Sequence, residues 1–296
     1  MRQAEIFLVT LTLCFGLAWL ASCHGPNEED HPRVVPGVAV RDMRFWSAAL
    51  GREMPYRVFL PARIADGEKL PVVYVLHGRG PDFRDWSNHS DIAAYALRGL
   101  ILVMPEGGSS FYMNAVRPPG DRYEDYITRD LIAEIERQFP ARSGRGSRAI
   151  VGISMGGFGA ITLALRQPNL YAFAAGLSPA LDVPERRFSP ARPRQWQLFR
   201  GIFGPMGSGE RAARDPFKLI QSADPKKIPY LYLTVGEQEP LLEPNQRFAA
   251  QLTRRHFQYE FHTSPGGHDW DEWNGQIPGC FARLLSALSP SAGDVP

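Results

Sequence analysis

The chain has 296 residues, of which 44% are hydrophobic and 22% charged, and its formal net charge is +2. That length accommodates one large α/β domain or two small ones, with the composition of an ordinary globular protein. The near-neutral balance and scattered arginines, with no basic stripe interleaved with aromatics, argue against nucleic acid as a partner.

Ile6 to Leu20 is an almost unbroken apolar run, short for a bilayer span but suited to the core of an export signal. It ends in Leu20-Ala21-Ser22-Cys23, the pattern of a bacterial lipoprotein signal: an aliphatic residue, two small ones, then Cys. Residues 1–22 are therefore expected to leave as a lipoprotein-type signal peptide. Cys23 would then be lipidated, anchoring the protein to the membrane of the bacterial cell envelope. An ordinary secretory signal with an incidental Cys23 is the alternative. Residues 23–35 are polar, charged and without apolar period, as in a flexible tether, and 289–296 reads as a disordered tail. Only Cys280 would remain in the folded part, so no internal disulfide is expected.

From 36 to 288 strand-like and helix-like segments alternate, which predicts one domain with a mostly parallel sheet and helices on its faces. Met54 to Leu60 alternates like an early edge strand. Leu70 to Leu76 and Leu100 to Met104 are continuously apolar, as strands covered on both faces should be. Ile127, Leu131, Ile135 and Phe139 recur at four-residue spacing, predicting an amphipathic helix over 126–139. Ile150 to Ile153 reads as a strand and Phe158 to Leu165 as a helix. Tyr171 to Leu177, Tyr230 to Val235 and Gln258 to His262 read as strands, and 245–256 and 276–288 as helices. Between 181 and 229 the pattern breaks into short apolar runs separated by Pro, Gly and Arg. An irregular insertion of that length suggests a lid or binding loop, with a passive surface excursion as the alternative.

The chemistry centres on Gly152-Ile153-Ser154-Met155-Gly156-Gly157. A Ser at a strand-to-helix corner is held in a strained turn with its hydroxyl exposed, and the helix N-terminus aims free N–H groups beside it. The flanking glycines fit places where a Cβ would collide. Such a hydroxyl needs a base to take its proton and a carboxylate to orient that base. His268, in the tight loop Ser264-Pro265-Gly266-Gly267-His268-Asp269-Trp270, suits the base. His256 lies beside Arg254 and Arg255 on a solvated helix face, His262 ends a strand, and His77 and His89 precede the serine. After the strand 230–235 comes Gly236-Glu237-Gln238-Glu239-Pro240, where Glu239 has the better spacing for the acid and Glu237 is the alternative. His268, Asp269 and Asp271 lack a second His at ligand spacing, and phosphate-cradling Gly loops are absent from the sequence. Neither a metal nor a cofactor is expected.

The segments Leu76-His77-Gly78-Arg79-Gly80 with Trp86, Met104 to Gly108, Tyr123 to Tyr126, Gly152 to Gly157, Asp215-Pro216-Phe217 and Gly266 to Trp270 span nearly the whole domain. Through them the chain resembles the esterase family of α/β hydrolases that includes S-formylglutathione hydrolase, feruloyl esterases and the mycolyltransferases. The resemblance implies an α/β-hydrolase fold and acyl transfer through Ser154, Glu239 and His268. It also implies an oxyanion hole made by the backbone N–H groups of Arg79 and Met155. The family carries Asp where this chain has Glu239. Trp86, Tyr112 and Trp270 either line a substrate pocket or pack as ordinary aromatics.

A serine esterase acting on a small-molecule or polysaccharide-linked ester is the reading these residues support. A thioesterase and an acyltransferase are alternatives within the same chemistry. An inert surface-anchored binding protein on a hydrolase scaffold is the alternative outside it.

Overall fold

The computed structural model describes residues 29–117 and 120–288. The expected signal peptide, Cys23 and the expected tail 289–296 lie outside the described residues. The part of the expected tether that is described, 29–35, is docked rather than loose. Asp30 forms an ion pair with the buried Arg57, and the Arg33 amide donates to the Ser87 carbonyl at 2.8 Å. A guanidinium buried at Arg57 demands carboxylate partners, and Asp30 shares that role with Asp42.

One sheet organises the described residues, with strand order β1-β2-β4-β3-β5-β6-β7-β8. β1 (Val38–Ser47) and β2 (Arg52–Pro61) form an antiparallel pair, and β2 also runs antiparallel to β4 (Ile101–Pro105). The remaining pairings, through β3 (Val72–Leu76), β5 (Arg148–Ile153), β6 (Phe173–Leu177), β7 (Tyr230–Gly236) and β8 (Tyr259–Ser264), are parallel. Every residue of β3, β4, β5 and β6 is buried, which is why those segments read as unbroken apolar runs. β2 is an interior strand rather than the edge that its alternation suggested. β1, more polar and half-exposed, takes the edge and covers it.

Helices close both faces around separate apolar clusters. One cluster joins Tyr126, Leu131 and Phe158 with Phe248, and the other gathers Trp86, Ile277, Phe281 and Leu284. The first comprises α3 (Leu131–Gln138), α4 (Met155–Arg166) and α8 (Leu242–Arg254), and the second is dominated by α9 (Trp270–Leu288). The helix expected over 126–139 begins earlier, as α2 (Tyr123–Asp125), and passes through a π-helical turn at Tyr126–Asp130 before α3. It ends before Phe139, which is extended because Pro140 follows it. Cys280 is fully buried on α9.

The segment 181–229 differs most from the expectation of an irregular insertion. It contains α5 (Pro193–Phe203), α6 (Gly209–Ala212) and α7 (Pro216–Ser222). Their start signals are local: Pro193 at the head of α5, and the side chains of Ser208 and Asp215 accepting from the Arg211 and Phe217 amides. Phe199 and Phe203 of α5 meet Phe111 edge-to-face at 5.5 and 5.6 Å. Arg211, 3% exposed, donates to the Gly204 and Pro184 carbonyls. The insertion is thereby fastened to the domain by a buried aromatic cluster and a buried guanidinium.

Candidate active site

The loops that follow β3, β5, β7 and β8 converge at the C-terminal ends of the parallel strands, where open α/β sheets place their ligand sites. Ser154 sits between β5 and α4 with φ 52° and ψ −112°. That backbone lies outside the comfortable regions for an L-residue and costs on the order of 1–3 kcal/mol. Its surroundings hold it there. The Ser154 amide donates to the Leu177 carbonyl at 2.9 Å, and the Ser154 carbonyl accepts from Phe158 and Ala180. A Cβ at Gly152 would lie 2.2 Å from the Gly156 carbonyl carbon, and one at Gly156 would lie 2.2 Å from the Leu76 oxygen. The glycines flanking the serine are thus places where backbone meets backbone.

His268 Nε2 stands 2.8 Å from Ser154 Oγ, and His268 Nδ1 stands 2.5 Å from Glu239 Oε2. With a neutral ring, the serine hydroxyl donates to Nε2 and Nδ1–H donates to the carboxylate. Glu239 is 4% exposed, and its other oxygen accepts from the Gly236 amide at 2.7 Å and the Ser178 hydroxyl at 2.5 Å. The extra methylene of Glu is accommodated because the carboxylate folds back over the Gly236 turn. Glu237 points elsewhere: it is exposed and accepts from Thr263 Oγ1 at 3.1 Å.

Arg79 and Met155 occupy the expected flanks. A Cβ at Gly78 would lie 3.8 Å from Ser154 Cβ, so the 77–79 loop runs directly beside the serine. Met155 opens α4, where the first amides have no acceptor within the helix. His77 shapes this loop through both ring nitrogens. Nδ1 contacts the Gly78 carbonyl at 2.6 Å, and Nε2 accepts from the Gly107 amide at 2.8 Å.

The three aromatics considered for a pocket separate here. Trp86 and Tyr112 are buried, at 1% and 0% exposure, and donate to the Leu76 and His77 carbonyls. They pack behind the 77–79 loop, out of a substrate's reach, because each ring fills the domain interior. Glycine Cβ atoms at Gly107 or Gly159 would strike the Tyr112 ring at 2.4 and 2.6 Å. Trp270 is partly exposed, bonds Asp85 at 3.2 Å and stacks on His89.

Two residues of the site escaped the sequence reading. Ser178, held at φ 47°, donates to Glu239 and accepts from Trp273 Nε1 at 3.0 Å, and the Trp273 ring meets His268 edge-on at 5.1 Å. The signal for Ser178 was its place before Pro179 at the end of β6. Trp273 lies one turn into α9 and carries no such sign.

Glu272 braces the histidine loop from beneath. Its Oε1 accepts from Ser264 Oγ at 2.7 Å, while Oε2 is buried without a partner. Burial, aided by the charges of Glu239 and Asp269, raises this carboxyl to about 7 against the lowering by Ser264. Its folded pKa thus exceeds the unfolded value of about 4.3. The stabilisation is full below that unfolded value and is lost as pH rises through about 7. Glu272→Gln is therefore expected to match wild type in thermal midpoint at pH 5 and to exceed it at pH 8–9. Parallel pH profiles for the two proteins would refute this.

A strained serine at a strand-to-helix corner, on a mostly parallel sheet with helices on both faces, defines an α/β hydrolase of the serine type. Residues 47–284 match the model of a family described as "Putative esterase". The chain belongs to this esterase family and is a serine carboxylic-ester hydrolase. It is 26% identical over 259 residues to an acetyl esterase of Caldicellulosiruptor saccharolyticus, covering 82% of this chain and 97% of that protein. Among solved structures it is similar to a fluorophosphonate-binding serine hydrolase of Staphylococcus aureus (TM-score 0.72, 26% identity, 85% of this chain and 99% of that one). It is also similar to the S-formylglutathione hydrolase of the same organism (TM-score 0.70, 25% identity, 85% and 99%).

Proposed function

We propose that the protein hydrolyses carboxylic esters through an acyl-enzyme formed on Ser154, with His268 as the base and Glu239 as the orienting acid. The observation that carries this reading is the unbroken relay from Ser154 Oγ through His268 to the buried Glu239. Ser154 Oγ attacks the ester carbonyl as its proton passes to His268 Nε2. Glu239 stabilises the imidazolium and fixes the ring by its bond to Nδ1. The carbonyl oxygen takes up negative charge beside the Arg79 and Met155 amides, a type of stabilisation worth about 10²–10³ in rate per donor. Collapse returns the proton to the departing alkoxide. Water then attacks the acyl-enzyme, giving its proton to His268 Nε2, and the carboxylic acid leaves as Ser154 recovers its proton.

Short acyl groups on a small-molecule or polysaccharide-linked alcohol are the substrates this reading favours. One relative is an acetyl esterase, and α5 and its preceding loop leave open clefts beside Arg79 and Pro240. Hydrolysis of p-nitrophenyl acetate by wild type and by Ser154→Ala tests the assignment, and equal rates would refute it.

The protein is further proposed to be exported and lipid-anchored through Cys23, on the pattern Leu20-Ala21-Ser22-Cys23. Metabolic labelling with a fatty acid should mark the wild type and not Cys23→Ser. Label retained in that variant would rule out the anchor.

A further inference from the structure

Beyond the reacting atoms, the active-site face carries a groove with a concentrated positive charge. One cleft of about 640 Å³ is lined by Arg79, Arg192, Arg194, Gln195 and Leu198. A second, of about 770 Å³, includes Arg186, Arg187, Arg192, Trp196 and Pro240, with Asp182 as its one carboxylate. They share Ala191, Arg192 and Gln195, so they form one groove along α5 and the loop before it. At its inner side the groove meets Arg79, adjoining the loop beside Ser154, and Pro240, the neighbour of Glu239.

The charge is local. The whole chain carries only +2, yet residues 186–200 hold five arginines and no Asp or Glu. Elsewhere some arginines find carboxylates, as in Arg52–Asp121, Arg57–Asp42, Arg166–Glu124 and Arg247–Glu185, so the groove is set apart by the clustering of its arginines. Among the described residues no carboxylate forms an ion pair with Arg79, Arg187, Arg192 or Arg194, although Asp182 holds Arg186. Unpaired guanidinium forks are built for bidentate contact with carboxylates. Alongside them Phe188, 55% exposed, meets Trp196 edge-to-face at 6.0 Å, which offers aromatic surface for a sugar ring.

We propose that this groove binds a carboxylate-bearing polysaccharide and presents its ester to Ser154, so that the favoured substrate is an acylated acidic glycan. The inference rests on the esterase reading above and adds the substrate's charge to it.

The probes are acetylated polygalacturonate and acetylated neutral xylan of matched acetyl content. Wild type should hydrolyse the acidic glycan with a kcat/KM about tenfold or more above the neutral one at low salt. That ratio should shrink toward unity at 0.5 M NaCl, where screening acts over only a few ångström. The double variant Arg192→Glu/Arg194→Glu should lose the preference, about tenfold or more, through KM on the acidic glycan rather than through kcat. Arg41→Glu/Arg44→Glu, the same change of net charge on edge strand β1, should keep it.

A wild-type ratio near one, an unchanged ratio in the groove variant, or an equal loss in the edge control would overturn the proposal. So would a preference for long-chain acyl esters in phosphatidylglycerol vesicles that the groove variant abolishes. Hydrolysis of p-nitrophenyl acetate that depends on Ser154 reports separately on the esterase reading. If that activity is present while the glycan preference is absent, only the groove assignment fails.

Discussion

Ser154→Ala is expected to lower kcat/KM for p-nitrophenyl acetate by about 10⁴-fold or more, with the thermal midpoint little changed. The proposed mechanism has no substitute for the lost atom. Removing Oγ removes the nucleophile, leaving only binding and the oxyanion donors to act on the bound ester. The fold should survive because the turn is held by the backbone. The Leu177, Phe158 and Ala180 hydrogen bonds and the close approach at Gly152 and Gly156 do not involve the hydroxyl. His268→Ala should fall to a similar level, since a hydroxyl without its base is a poor nucleophile at neutral pH. The double variant should be little worse than either single one, because residues acting as a unit are non-additive. Additive losses would argue that Ser154 and His268 act independently.

Glu239→Gln is expected to cost about 10³–10⁴-fold in kcat, whereas Glu237→Gln should stay within about twofold of wild type. Glu239 meets His268 Nδ1 at 2.5 Å and is buried, so its charge acts on the imidazolium through little solvent. An amide in its place removes that charge and can present an N–H to the ring, favouring the wrong tautomer. Glu237 is exposed and bonded to Thr263, with no contact to the ring. Steady-state kinetics with the three proteins decide the matter. A large loss in Glu237→Gln with Glu239→Gln active would reverse the assignment.

Much of this site was legible because its signals are local in the chain. The Gly-flanked serine declares a tight turn, and a Gly-Gly-His loop after a late strand marks the imidazole that reaches Ser154 Oγ. The buried strands announce themselves by unbroken apolar runs. The short helices of 181–229 were not legible, since α6 and α7 have 4 and 7 residues and too few turns to establish a period. The edge strand β1 was missed for a related reason: its apolar residues are split between the two faces, with Ala39, Met43 and Phe45 on one cluster and Val38 and Val40 on the other. Trp86 and Tyr112 also needed the structure, because an aromatic in a loop reads alike whether it faces a ligand or fills the interior.

The sequence by itself determined the buried interior strands, the serine corner and a candidate base with two candidate acids, because these follow from nearest-neighbour sterics or periodic burial. Only the tertiary structure shows that Glu239, and not Glu237, contacts His268. Two carboxylates two residues apart differ in which way the turn after β7 aims them, and that turn is set by packing against β8 and the Ser264–Gly266 backbone. It also decided that Ser178 and Trp273, 95 residues apart, meet at one hydroxyl, and that Arg187, Arg192 and Arg194 line clefts with Arg79 and Pro240. Those are long-range coincidences of position, fixed by how the layers stack, and no local pattern in the chain encodes them.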